Sequence, residues 1–184
     1  MTLPPPHGFS RSPVVRVTCS WYAPVSPDNF LDDGSCSTVT RDESGRVSLI
    51  VDAPYPGWRV ISRRLAEVLP YAGSVSRCRL VFTDRFLLSP HDDINSLFSL
   101  SCFFPDLTKT EPVVYTGPSS VAETTNEITL RYEKKDCLVY LDFNLSRVSG
   151  IPAKEALSWF DAAHAEIHLL FDEIVSGEMI ARLA

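Results

Sequence analysis

The 184-residue sequence contains no apolar run approaching the roughly 18 residues that a membrane-crossing helix needs. Glycine is scarce, with eight in the chain, and no Gly-x-Gly-x-x-Gly, Gly-x-x-x-x-Gly-Lys or Gly-x-Ser-x-Gly occurs. Dinucleotide loops, phosphate loops and nucleophile elbows are therefore excluded, and no cofactor is expected. Positive charge is in deficit: the formal net charge is −6, so nucleic acid and anionic membranes are repelled except at a local patch. The five cysteines, Cys19, Cys36, Cys78, Cys102 and Cys137, are odd in number and never form Cys-x-x-Cys, which argues against zinc ribbons and disulfide frameworks. Cys19, Cys78, Cys102 and Cys137 fall in strand-like runs and read as reduced core residues of a cytoplasmic protein. Residues 1–13 hold Pro4-Pro5-Pro6 and no apolar stretch, a proline-rich arm rather than a signal peptide.

What is present reads as one domain over 1–184, with 45% hydrophobic and 22% charged residues. Val15, Val17, Cys19 and Trp21 alternate with polar residues, the period of a strand with one buried face. After an Asp-rich loop from Pro24 to Ser37, Thr38 to Arg41 and Arg46 to Asp52 flank Glu43-Ser44-Gly45 as a hairpin. From Trp58 the period changes: Trp58, Ile61, Leu65, Val68 and Leu69 share a helical face until Pro70 and Gly73. Alternation returns over Ser76 to Leu88, Pro90 to Asp93 reads as a turn opening a short helical segment, and Leu97 to Phe104 as a further strand. Pro105 to Val121 is a connection with an edge strand at Val113 to Thr116. Ile128, Leu130 and Tyr132 then pair with Val139, Leu141 and Phe143 across Lys134-Lys135-Asp136. Pro152 opens a long helix to about Val175, with Gly177 as its cap and a last turn to Leu183. Hairpin-linked strands with one internal helix and a long C-terminal helix predict an α+β two-layer sandwich with a twisted, mainly antiparallel sheet.

Three stretches carry a resemblance. Ser12-Pro13-Val14-Val15 enters the first strand, and Pro54-Tyr55-Pro56-Gly57-Trp58 opens the first helix. Leu141-Asp142-Phe143 is followed by a helix carrying Ala163-His164-Ala165-Glu166-Ile167-His168-Leu169-Leu170-Phe171. In that order the motifs resemble those of the prokaryotic proteins described only as sporadically distributed. The resemblance implies a cytosolic bacterial or archaeal protein, patchily inherited and accessory to mobile or defence-associated loci. It transfers no catalytic residue.

Two constellations are candidate sites. Asp161, His164, His168 and Asp172 lie along one side of the C-terminal helix, spaced by 3, 4 and 4 residues. Two histidines at i and i+4 can share a metal, with carboxylates one turn away completing the shell. The alternative is structural: His164 falls in the apolar stripe of Phe160, Ile167, Phe171 and Ile174, as a buried imidazole donating to a sheet carbonyl would. The second is basic. Between Tyr55 and His91, six arginines (Arg59, Arg63, Arg64, Arg77, Arg79, Arg85) meet two acids. Arg59 and Arg63 on the helix and Arg77 and Arg79 on the strand are expected to form one patch, for an acidic protein, for nucleic acid or simply as a solvated face. Tyr22, Leu138 and Tyr140 are expected to look outward from the sheet, as an interface would require. The leading expectation is a cytoplasmic, non-enzymatic interaction or regulatory module, binding a protein partner or forming a homodimer through the sheet. A metal-assisted hydrolase or nuclease using His164 and His168, and an apolar-ligand pocket between the long helix and the sheet, are the alternatives.

Overall fold

The computed structural model describes residues 12–23, 37–99 and 112–184. β1 (Val14–Tyr22) buries Val17, Cys19 and Trp21 on one face. β2 (Ser37–Arg41) and β3 (Arg46–Asp52) form the expected hairpin. Gly45 takes φ 83° in its turn, where a side chain would be strained, and Asp42 Oδ1 accepts from the Ser44 and Arg46 amides. α1 (Trp58–Val68) buries Ile61, Leu65 and Val68 and passes into a 3₁₀ turn (Leu69–Ala72) at Pro70, which has no N–H to continue the helix. β4 (Ser74–Leu87) follows, then α2 (Ile94–Leu97), a single turn capped by Asp93 accepting from the Asn95 amide. β5 (Val113–Pro118), β6 (Thr124–Glu133) and β7 (Leu138–Arg147) make an antiparallel meander. β8 (Ile151–Pro152) pairs with the start of β4, and α3 (Ala153–Ile174) and α4 (Gly177–Leu183) end the chain.

The strands form one open antiparallel sheet in the order β2-β3-β1-β4-β7-β6-β5, with β8 attached to β4. Leu49, Trp21, Leu80, Phe82, Phe86, Phe143 and Ile128 project from one face into Ile61 and Leu65 of α1 and Phe160, Ala163, Ile167 and Phe171 of α3. Both helices therefore cover the same face, and the architecture is the α+β two-layer sandwich that the pattern predicts. Sealing single Phe or Leu side chains in such a core contributes about 1.5–3 kcal/mol each. Across the other face no helix lies among the described residues.

A bulge sets the phase of β4. Ser20 pairs with Arg79 and Tyr22 with Ser76, so two residues of β1 oppose three of β4, and Arg77 absorbs the extra residue at φ 50°. Core positions shift accordingly from Val75 to Cys78, Leu80 and Phe82.

Three local expectations are corrected. Leu97 ends α2 instead of opening a strand, because Asp93 caps the turn; Phe98 makes an isolated bridge to Val175 and the Ser99 amide donates to the Ile174 carbonyl, and residues 100–104 lie outside the described residues. Gly177 is the first residue of α4, whose cap is Ser176 accepting from the Met179 amide. Cys137 sits at φ 53° in the β6–β7 turn, half-buried, rather than in the strand. Cys19, Cys78 and Cys137 are free thiols; Cys36, Cys102, the Pro24–Cys36 loop and most of the proline-rich arm lie outside the described residues.

Candidate functional site

The basic residues do not converge as expected. Arg59 and Arg63 are exposed on α1, and half-buried Arg64 binds Glu67 at 2.9 Å, all in the helix layer. Arg77 and Arg79 lie on the opposite side of the sheet. The reason is the β4 phase: Cys78, Leu80 and Phe82 face α1, so their odd-numbered neighbours point away. Arg79 Nε donates to Asn144 Oδ1 at 2.8 Å, and Asn144 Nδ2 donates onward to Glu127 Oε1 at 3.0 Å. The Arg77 guanidinium lies 5.3 Å from the Tyr22 ring centre.

The uncovered face has its own order. Tyr140 pairs across β7 with Arg85 on β4 and with Arg131 on β6, and the Arg131 guanidinium sits 4.4 Å over its ring. Tyr22 is likewise opposite Arg46 on β3 and beneath Arg77. Tyr22, Leu138 and Tyr140 are half-buried on this face, as expected of outward residues in a twisted sheet. Leu87, opposite Leu138, is 73% exposed. Arg16 meets Asp52 at 2.6 Å, an exposed pair of small energetic weight. Arg46 and Arg131 carry no signal as isolated residues. The hairpin register alone would have found Arg131, since pairing Tyr132 with Val139 places Arg131 opposite Tyr140.

On α3, His164 stacks in parallel on Trp58 with ring centres 4.3 Å apart, and lies 5.6 Å from Phe82 and 4.6 Å edge-on from His168. Burial, with His168 nearby, holds its pKa down to about 3, so the ring is neutral at physiological pH. Its Nε2 is buried with no hydrogen-bond partner, so the expected bond to a sheet carbonyl is replaced by ring stacking. Asp161 accepts from Trp58 Nε1 at 2.7 Å and Ser62 Oγ at 3.0 Å, tying α1 to α3. Its carboxylate is thus committed to structure, and Asp172 is exposed two turns beyond His164. Among the described residues no group of three or more His, Cys, Asp and Glu side chains is placed to hold a metal.

Asp84 is the residue that periodicity missed. It points into the core between Phe82 and Phe86, is 2% exposed, and its Oδ1 has no hydrogen-bond partner. Burial, reinforced by Asp142, pushes its pKa up to about 8. Val14 and Leu141 are its cross-strand neighbours, and the Arg85 amide beside it donates to the Pro13 carbonyl at 2.9 Å. Tyr55 packs edge-on against Phe82 at 5.9 Å, its phenol pushed up by burial and by Asp84. The three stretches carrying the family resemblance therefore meet around Asp84, Phe82, Trp58 and His164. Glu166, at the opposite side of α3, is also buried: Oε2 accepts from Ser119 Oγ, Ser120 Oγ and the Val121 amide at 2.7–3.1 Å, pinning the β5–β6 connection.

The interface between α3 and the sheet is filled by Phe160, Phe171, Phe143 and Phe86, all buried, where an apolar ligand had been an alternative. A groove of about 760 Å³ opens instead at the end of the sheet, lined by Tyr22, Ser44, Ser74, Ser76, Ile151 and main chain, with no charged side chain among the described residues. Cys19 and Cys78 are buried thiols whose pKa is pushed up by burial, Cys78 to about 12, so neither is a ready nucleophile. Among the described residues no helix is long and apolar enough to cross a membrane. No protein-family model and no curated protein matches this chain.

Proposed function

We propose that this chain is a non-enzymatic protein-interaction module, regulatory in role and cytoplasmic, that docks a partner on the uncovered face of its sheet. The observation that carries this reading is the set of half-buried tyrosines held against arginines on a face that no helix covers among the described residues. One face of the sheet is spent on the core; the other presents side chains of the kind enriched at interface hot spots, already ordered by cross-strand contacts. The other polar groups support the same reading. Asp161 and Glu166 are spent on joining elements, Asp84 is sealed from solvent on the core face, and half-buried His164 is stacked on Trp58. A second copy of the chain would use the same face in a homodimer. Membership of the sporadically distributed prokaryotic proteins, with an accessory role at mobile or defence-associated loci, belongs to the same proposal and rests on the motifs above.

The test is site-specific photo-crosslinking in the native cells. A photoreactive amino acid at Thr83, in the middle of the uncovered face, is expected to give a discrete protein adduct, and one at exposed Leu169 on α3 none. Adducts only at Leu169, or at neither position, overturn the reading.

A further inference from the structure

We infer that the row Arg85–Tyr140–Arg131, with Leu87 and Leu138 beside it, is a docking site for an acidic peptide segment that places an apolar side chain next to its carboxylates. This inference rests on the sheet-face reading above and names the partner's chemistry.

The argument begins with charge. Alternation and register put Arg16, Arg46, Arg77, Arg79, Arg85 and Arg131 on the uncovered face, against the carboxylates Asp52, Glu127, Glu133 and Asp142. Asp52 is taken by Arg16, Arg46 is held by Asp42 at 2.9 Å, Glu133 lies 3.7 Å from Arg131 Nε, and Glu127 is bound through Asn144. Among the described residues, Arg77, Arg79 and Arg85 of β4 form no ion pair, and Glu127 and Asp142 are the acids of this face not paired with an arginine, so β4 keeps a positive surplus of one on a chain of net charge −6. The complement of that surplus is an acidic partner.

The geometry narrows the partner further. Arg85 and Arg131 flank Tyr140 from strands on either side of β7, about 10 Å apart at the backbone. An extended peptide presents side chains of one face about every 7 Å, so two carboxylates fall within reach of two long guanidinium arms. Arg131 rests on the Tyr140 ring 4.4 Å away, which holds its planar fork in place; its Nε lies 3.7 Å from Glu133 Oε1, a long exposed pair of small weight that an incoming carboxylate has to displace. The next row along the strands, Leu87 opposite Leu138, supplies the apolar contact, with Leu87 at 73% exposure. Stacked nucleic-acid bases fit less well. The tyrosine faces that would receive them already carry guanidinium groups, at 4.4 Å over Tyr140 and 5.3 Å over Tyr22.

The test is selection of a random 12-residue peptide library on the full chain, then titration of the best fluorescent peptide. Three proteins are compared: wild type, the double variant R85E/R131E, and R59E/R63E, which makes the same charge change in the helix layer. Enriched peptides are expected to carry several Asp or Glu residues beside an apolar one. Their affinity should fall at least tenfold with R85E/R131E, less than twofold with R59E/R63E, and steadily with added salt. Should R85E/R131E fail to fold, as judged by its thermal transition, R85Q/R131Q serves in its place with an expected loss of at least fivefold.

Peptides without acidic bias, or an equal loss in the two charge-reversed variants, overturn the inference. So does a U15 RNA that binds more tightly than the peptides, or a dimer in sedimentation that R85E/R131E splits. A Thr83 adduct whose crosslinked segment lacks acids leaves sheet-face docking standing and removes the acidic assignment alone. No adduct at Thr83 removes both.

Discussion

Raising the pH from 6.5 to 8 should cost the native state about 2 kcal/mol through Asp84 alone. Asp84 faces the core at 2% exposure and its carboxyl holds a proton up to about pH 8, whereas in the unfolded chain it ionises near 3.8. Between those values the folded state binds one proton more than the unfolded state. Stability therefore falls with rising pH by about 1.4 kcal/mol per unit, and the loss is complete above pH 8. His164 acts in the opposite direction: it stays neutral when folded down to about pH 3 but takes a proton at 6.5 when unfolded. Its contribution falls as pH drops below 6.5, so the two slopes oppose each other between about 4 and 6.5, and above 6.5 Asp84 is left alone. The assay is urea unfolding followed by tryptophan fluorescence at half-unit steps from pH 6.5 to 8, on wild type and Asp84→Asn. Asparagine keeps the shape and cannot ionise, and subtracting one curve from the other removes the remaining histidines. The stability advantage of Asp84→Asn should grow by about 2 kcal/mol over this window. A difference that is flat, or that shrinks with pH, refutes a buried, proton-retaining Asp84.

Other expectations follow from the same packing. Replacing His164 by Phe keeps the stack on Trp58 and removes a buried nitrogen without a partner, so stability at pH 7 should hold or rise, and the advantage of the variant over wild type should grow by about 3 kcal/mol between pH 6.5 and 4, the Asp84 contribution cancelling in the difference. Denaturation of both proteins at the two pH values checks this. Glu166→Ala strips the acceptor from Ser119, Ser120 and the Val121 amide and should cost about 2–3 kcal/mol by urea unfolding, with hydrogen exchange rising first at Val121. Gly117→Ala should destabilise by about 1–3 kcal/mol, since a Cβ there would lie 2.7 Å from the Tyr115 ring; the melting temperature reads it. Phe160→Ala, which empties space under Trp21 and Trp159, should cost about 3–5 kcal/mol in the same measurement.

Period alone located the strands and the two principal helices, because a one-sided core imposes alternation on Val17, Cys19 and Trp21 and helical spacing on Ile61, Leu65 and Val68. The Gly45 turn and the Pro70 break were legible for the same local reason, since only backbone geometry decides them. Which sheet face α1 covers is not local. It depends on the β4 bulge at Arg77, and that single residue of slippage, together with the packing of both helices on one face, separates Arg59 and Arg63 from Arg77 and Arg79. The helix quartet failed for a related reason: spacing places Asp161, His164, His168 and Asp172 on one side of α3, but Trp58 arrives from α1 to take Asp161 and stack on His164. Asp84, an acid in a strand of alternating period, looks like a surface residue until β1 and β7 close on either side and α3 covers the sheet. The sequence by itself determined the elements and the two-layer class, through the periodicity that burial demands. Tertiary structure decided which charges share a surface and which polar groups lose their water, because both depend on residues brought together from distant parts of the chain.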